Sequence, residues 1–155
     1  MPETTKSYSN LEIIQGSDYE IVITMDDTHQ WNDKKYRVTI VKDFAHTAFN
    51  GDISSSGKLA FGDASVSSGG TISNSTDSGV GNITIGGTTL DGSTRTGGTI
   101  TIKIDQAKTA ALDDDFDGFW DLLEGSPVSS PTEFIRQAQG EVYVNPMATA
   151  PTDFE

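Results

Sequence analysis

Short stretches of this chain alternate apolar and polar residues, and each closes on a cluster of turn formers. Leu11-Glu-Ile-Ile14 predicts a first strand and Gln15-Gly-Ser-Asp18 a turn. Tyr19-Glu-Ile-Val-Ile-Thr-Met25 predicts a second strand, with Tyr19, Ile21, Ile23 and Met25 on one face by the two-residue period. Residues 26–33 read as a turn-rich loop carrying Trp31, and Tyr36-Arg-Val-Thr-Ile-Val41 as a third strand with Tyr36, Val38 and Ile40 on one side. Ile83-Thr-Ile85, Thr88-Thr-Leu90 and Ile100-Thr-Ile-Lys-Ile104 repeat the pattern between pairs of glycines. Further on, residues 119–123 and 134–139 predict strands joined by a Pro-rich loop, Gly140-Glu-Val-Tyr-Val144 predicts the last strand, and Asn145-Pro146 stops it. The predicted core is Ile21, Ile23, Val38, Ile40, Ile102, Ile104, Leu122, Val142 and Val144.

Two segments break the strand pattern. Asp105-Gln-Ala-Lys-Thr-Ala-Ala-Leu112 is helical in composition, with Asp105 as the expected N-cap and alanines supplying propensity. From residue 62 to 115 there is no Phe, Trp or Tyr, and Gly, Ser and Thr dominate; residues 64–79 read as a long exposed loop or an irregular hairpin. Residues 1–10 read as a polar N-terminal arm, 11–146 as one β-sandwich domain and 147–155 as a C-terminal tail.

Composition narrows the function. A chain of 155 residues with 34% hydrophobic residues and 16 glycines supports a single, rather thin core. The net charge of −13 opposes binding to nucleic acid or to anionic membrane surfaces, since both need clustered Lys and Arg. Lys34, Lys35, Arg37 and Lys42 form the one basic stretch, a patch for an acidic partner or, more simply, the solvated face of a strand. The absence of cysteine removes disulfides and thiol chemistry. The sequence presents no membrane-length apolar run and no signal-peptide core, which predicts a soluble protein made in a cytoplasm.

Asp113-x-Asp115-x-Asp117-Gly118 followed by Glu124 satisfies the calcium-loop pattern, with oxygens at loop positions one, three, five and twelve. Its context points elsewhere. Gly125-Ser126-Pro127 ends any helix that would present Glu124, and no sister loop exists, so an acidic turn entering a strand is the preferred reading and no metal is assigned. His29 and His46, the only histidines, read as solvated loop residues; there is no nucleophile elbow, dinucleotide fingerprint or phosphate loop. No catalytic or cofactor-binding residue is expected, and the chain is read as non-enzymatic.

The phrases from Leu11 to Asp27 and from Ile100 to Leu112, continued by Gly118-Phe-Trp-Asp-Leu-Leu-Glu124 and Gly140-Glu-Val-Tyr-Val-Asn-Pro146, resemble in order and spacing a family of small tailed-bacteriophage virion proteins. That family is related in pattern to the immunoglobulin-like N-terminal domains of phage upper baseplate proteins. The resemblance spans roughly residues 10–45 and 98–149 and departs from the family in the long Gly/Ser/Thr insertion and the Asp-rich turn before Trp120. It implies a mainly β, immunoglobulin-like antiparallel β-sandwich with one short helical crossover and long Gly/Ser/Thr loops. It further implies a structural protein of the phage tail, a baseplate component or fibre adaptor, that contacts other virion proteins in a symmetric multicopy assembly and is a monomer when isolated. A capsid decoration protein and a calcium-dependent carbohydrate- or receptor-binding module are the alternatives.

Overall fold

The computed structural model describes residues 9–42, 58–60, 63–75, 81–110 and 117–146. Its strands are β1 (Leu11–Ile14), β2 (Tyr19–Thr24), β3 (Lys34–Lys42), β4 (Lys58–Ala60), β5 (Ala64–Val66), β6 (Ile72–Ser73), β7 (Asn82–Gly86), β8 (Thr89–Asp91), β9 (Thr94–Thr96), β10 (Thr99–Ile104), β11 (Asp117–Ser126) and β12 (Glu133–Asn145). The helix α1 (Gln106–Ala110) crosses from β10 towards β11.

Strand partnership defines the architecture. The large sheet runs β1-β12-β11-β3-β5-β6 with β4 also on β3, the small sheet runs β2-β10-β7, and β8 and β9 form a separate hairpin. The partition of β2, β10 and β7 against β3, β11 and β12 is that of the B, E, D and C, F, G strands of an immunoglobulin-type sandwich. The chain is thus a mainly β, immunoglobulin-like sandwich: the alternating pattern predicts the sandwich, and its immunoglobulin-like order is what the family resemblance implies. One departure from antiparallel order sits at the start: β1 pairs in parallel with β12, Leu11 opposite Val142 and Ile13 opposite Val144. The turn after β1 therefore carries the chain from the large sheet to the small one.

The two inner faces share one core. Val38 and Ile40 on β3, Leu122 on β11 and Val142 and Val144 on β12 face Ile83, Ile85, Ile100, Ile102 and Ile104 of the small sheet, and all are buried. Ile21 and Ile23, expected in this core, are only half-buried. The reason is position: β2 is an edge strand, bonded to β10 on one side, so its inward side chains are covered from one flank only.

Other departures have local causes. The predicted strands 134–139 and 140–144 are a single strand, β12, running through Gly140. A Cβ at Gly140 would lie 1.9 Å from the Ser9 carbonyl oxygen, so glycine here admits a crossing chain where the sequence suggests a break. Residues 64–79, read as a loop or hairpin, place β5 and β6 on the edge of the large sheet, with Ala64 and Val66 fully buried. Asp105 takes the expected N-cap position of α1, its carbonyl accepting from Lys108 and Thr109, but the helix start is also tied to the turn after β1: Asp18 accepts the Gln106 amide at 2.8 Å, and Thr109 Oγ1 donates to the Ser17 carbonyl at 2.7 Å. Residues 1–8 and 147–155 of the predicted terminal arms lie outside the described residues. Ser9 is tied down by its amide to the Gln139 carbonyl, and Asn10 by its side chain to the Glu141 amide.

Candidate functional site

A carboxylate lies inside the sandwich. Glu124 on β11 follows the inward parity of Trp120 and Leu122, which puts its side chain at the end of the core, 3% exposed. A buried carboxylate persists only if its oxygens are hydrogen-bonded or paired. Tyr36 donates its hydroxyl to Glu124 Oε1 at 2.7 Å and Gln137 donates its amide to the same oxygen at 3.2 Å, while Lys34 Nζ stands 3.7 Å from Oε2. Because the single Tyr36 proton goes to the carboxylate, its oxygen is left to accept from His29 Nε2 at 2.9 Å; the same nitrogen is 3.3 Å from Glu124 Oε1. Burial, with the Glu124 charge beside it, pushes the Tyr36 hydroxyl far above its ordinary value near 10.0 and keeps it a donor.

Each member reaches the cluster by its own local device. Lys34 shares the inward parity of Tyr36, so the first residue of β3 turns under the sheet and also bonds the Gln30 carbonyl at 2.7 Å. Gln137 is the extra residue of a β-bulge: Leu122 pairs with Ala138 and Leu123 with Arg136, which leaves Gln137 unpaired and free to turn inward. His29 and Trp31 come from the loop before β3. Trp31 is fully buried, donates Nε1 to the Gly97 carbonyl at 2.5 Å, and packs at 5.1 Å from the Tyr36 ring and edge-on at 4.7 Å from His29.

The expectation that His29 is a solvated loop residue is therefore corrected. Its loop is pulled in by the Trp31 ring and by backbone bonds to Arg95 and Gly97, so the imidazole becomes part of the core. Lys34 is likewise not on a solvated face, whereas Lys35 and Arg37 are outward, Arg37 bonded to Asp63 through two nitrogens at 2.7 and 2.9 Å. Of the calcium-pattern residues, Asp113 and Asp115 lie outside the described residues, as does His46; Asp117 opens β11 and Glu124 is committed to Tyr36 and Gln137. The sequence signal for this cluster was parity: Glu124 shares a face with Trp120 and Leu122, an acidic residue in an apolar row.

The outward face of the large sheet is different in character. Phe134 is 55% exposed and Tyr143 38%, with Leu123, Phe119 and Val41 half-buried along the same side. Between them stand the ion pairs Arg37–Asp63 and Arg136–Asp121, the latter at 3.0 Å, and the Tyr143 hydroxyl donates to Glu141. Two shallow depressions of about 270 and 250 Å³ mark this face, one along Phe119 and Gln139, the other along Leu123, Pro131 and Phe134.

No family model and no curated protein matches the sequence. Among solved structures, the chain is similar to the extracellular domain of the voltage-gated sodium channel β4 subunit, described as a parallel homodimer that explains a role in cell–cell adhesion. The identity is 12%, the alignment covers 95% of this chain and 98% of that one, and the TM-score is 0.45. A second structure, from work on multimeric cell-adhesive interactions of these β subunits, shows 11% identity, 92% and 93% coverage and the same TM-score of 0.45. The expected role as a phage tail or capsid-decoration protein is corrected by this outcome: the neighbouring folds are sodium-channel β-subunit domains, and neither sequence comparison leads to a virion protein. At this distance the neighbours lend no activity to this chain, and the fold assignment stands on its own strand order.

Proposed function

We propose that this chain is a non-enzymatic protein-recognition module that contacts its partner through the outward face of β3, β11 and β12. The supporting observation is the strip of exposed aromatic residues, Phe134 and Tyr143, with half-buried Val41, Phe119 and Leu123 between them and arginines interleaved on that face, Phe134 being more than half exposed. Aromatic residues and arginine are the types enriched at the centres of protein interfaces, and an ion pair such as Arg136–Asp121 leaves a guanidinium held in place for further hydrogen bonds. The polar groups of the buried cluster are spent on one another inside the sandwich: the Glu124 carboxylate accepts from Tyr36 and Gln137 and faces Lys34 and His29. The outward face also carries Lys35, Arg37 and Arg136, so it is less acidic than the molecule as a whole, which lowers the electrostatic cost of docking a protein there.

A photo-activatable residue at position 134, in the full chain expressed in its own cells, tests this reading. A discrete adduct with a second protein chain is expected at 134, and none from the same residue at Leu90 on the β8–β9 hairpin, which is 49% exposed. No adduct at 134, or equal yields at both positions, overturns the reading.

A further inference from the structure

The small sheet ends in an open strand. β2 bonds β10 in antiparallel register, Ile23 opposite Ile100 and Ile21 opposite Ile102, and the Met25 amide continues that ladder to the Gly98 carbonyl at 2.9 Å. Hydrogen-bonded pairs alternate along an antiparallel ladder, so Met25, Ile23, Ile21 and Tyr19 turn their amides and carbonyls towards β10. Glu20, Val22 and Thr24 therefore turn theirs the other way, and among the described residues no strand pairs with that edge. Beside it runs a groove of about 690 Å³, lined by the β2 residues together with Ser9, Thr28, Lys34 and Gln137.

We propose that this edge takes an extended, lysine- or arginine-bearing segment of another protein as an added strand. A row of outward amides and carbonyls is a template on which an extended segment can add as a further strand, and Val22, 52% exposed, offers an apolar cross-strand contact. Charge selects the occupant. Glu20, Asp26 and Asp27 are exposed around the edge, while the base inside the groove, Lys34, is held by Glu124 and the Gln30 carbonyl; Lys103, opposite Glu20, is the one cation on the neighbouring strand. Against a chain of net charge −13 a cationic strand is attracted and a second copy is repelled. This site is separate from the outward face of the large sheet and stands or falls independently of it.

The test uses the full chain, labelled for amide exchange, with two six-residue probe peptides, one alternating Lys and Val and the other alternating Glu and Val. The Lys-Val peptide is expected to bind, to slow exchange at the Val22 and Thr24 amides and to leave Ile21 and Ile23 unchanged. Val22→Pro removes an outward amide without touching the β10 ladder, so binding falls at least about tenfold while the melting temperature holds. Glu20→Lys with Asp26→Lys keeps the backbone intact and weakens binding by a similar factor, about tenfold, if charge selects the peptide. The proposal is overturned if neither peptide binds or if the Glu-Val peptide binds equally well. It is also overturned if the Val22 and Thr24 amides are slow in the free chain and become fast on deletion of residues 1–8 or on dilution, because the edge is then filled by the chain itself or by a second copy.

Discussion

Tyr36 shows how one hydroxyl supports a buried charge. It gives its proton to Glu124 and accepts from His29, so Tyr36→Phe removes two hydrogen bonds while keeping the ring against Trp31. A buried acceptor left short of a donor costs about 1–3 kcal/mol, and a loss of that size is expected in denaturant unfolding at pH 7. The pH dependence has a definite sign. The folded protein holds the Tyr36 proton more tightly than the unfolded chain, whose tyrosines ionise near 10.0. The contribution is complete below that value and is lost as pH rises above it, at up to about 1.4 kcal/mol per pH unit for one proton. Wild type should therefore lose stability faster than Tyr36→Phe between pH 10 and roughly 11; parallel curves would mean that the phenol ionises within the fold. Gly140 makes a second residue-scale prediction. A methyl there meets the Ser9 carbonyl at 1.9 Å and the Trp120 indole nitrogen at 3.0 Å, both partners of one hydrogen bond, so Gly140→Ala costs about 1–3 kcal/mol or expels Ser9 from β12. Unchanged melting and unchanged exchange at the Ser9 amide would refute it.

The strands differ in how much of their role their pattern announces. Val142 lies at zero exposure opposite Leu11 and Gly118, and Val142→Asp, which buries an unpaired charge, is expected to destabilise by several kcal/mol or to prevent folding, on the scale of about 3–5 kcal/mol for such changes. Ile102 and Ile23 have the same alternation in sequence, but β10 is the middle strand of the small sheet and β2 its edge. Ile102→Ala is expected to cost about 2–5 kcal/mol and Ile23→Ala roughly half of that; equal losses would contradict the edge placement. Alternation reports which face a residue takes and not how many strands flank it, which is why β3, β10 and β11 were legible and the half-burial of Ile21 and Ile23 was not. Trp31 was illegible for a related reason. A lone aromatic among Asp, Asn and Gln carries no period, and its burial depends on the carbonyl of Gly97, 66 residues away. Glu124 was readable as a residue of the calcium pattern, but its inward use required the pairing of β11 with β3, which brings Tyr36 opposite it. The bulge that delivers Gln137 has no sequence mark beyond the polar residue itself.

At the scale of the whole molecule, charge and surface act in opposite directions. A net charge of −13 resists self-association, and the purified chain is expected to sediment as a monomer at low salt, a concentration-dependent dimer there being the contrary result. On the outward face of the large sheet Lys35, Arg37 and Arg136 offset the charge of Asp63, Asp121 and Glu141, so little of that resistance arises there. Recognition through this face, with a fold held by packing and by the Glu124 cluster beneath it, accounts for the apolar residues that the core does not use. The most direct test is the yield of photo-crosslinked adduct from a reporter at Tyr143 when Phe134 is replaced by Asp, about 30 Å away along β12 by strand rise, in a chain whose melting temperature is checked in parallel. The account predicts that the adduct is lost while melting is unchanged, since Phe134 is already solvent-facing; an adduct of undiminished yield from the Phe134→Asp chain would contradict it.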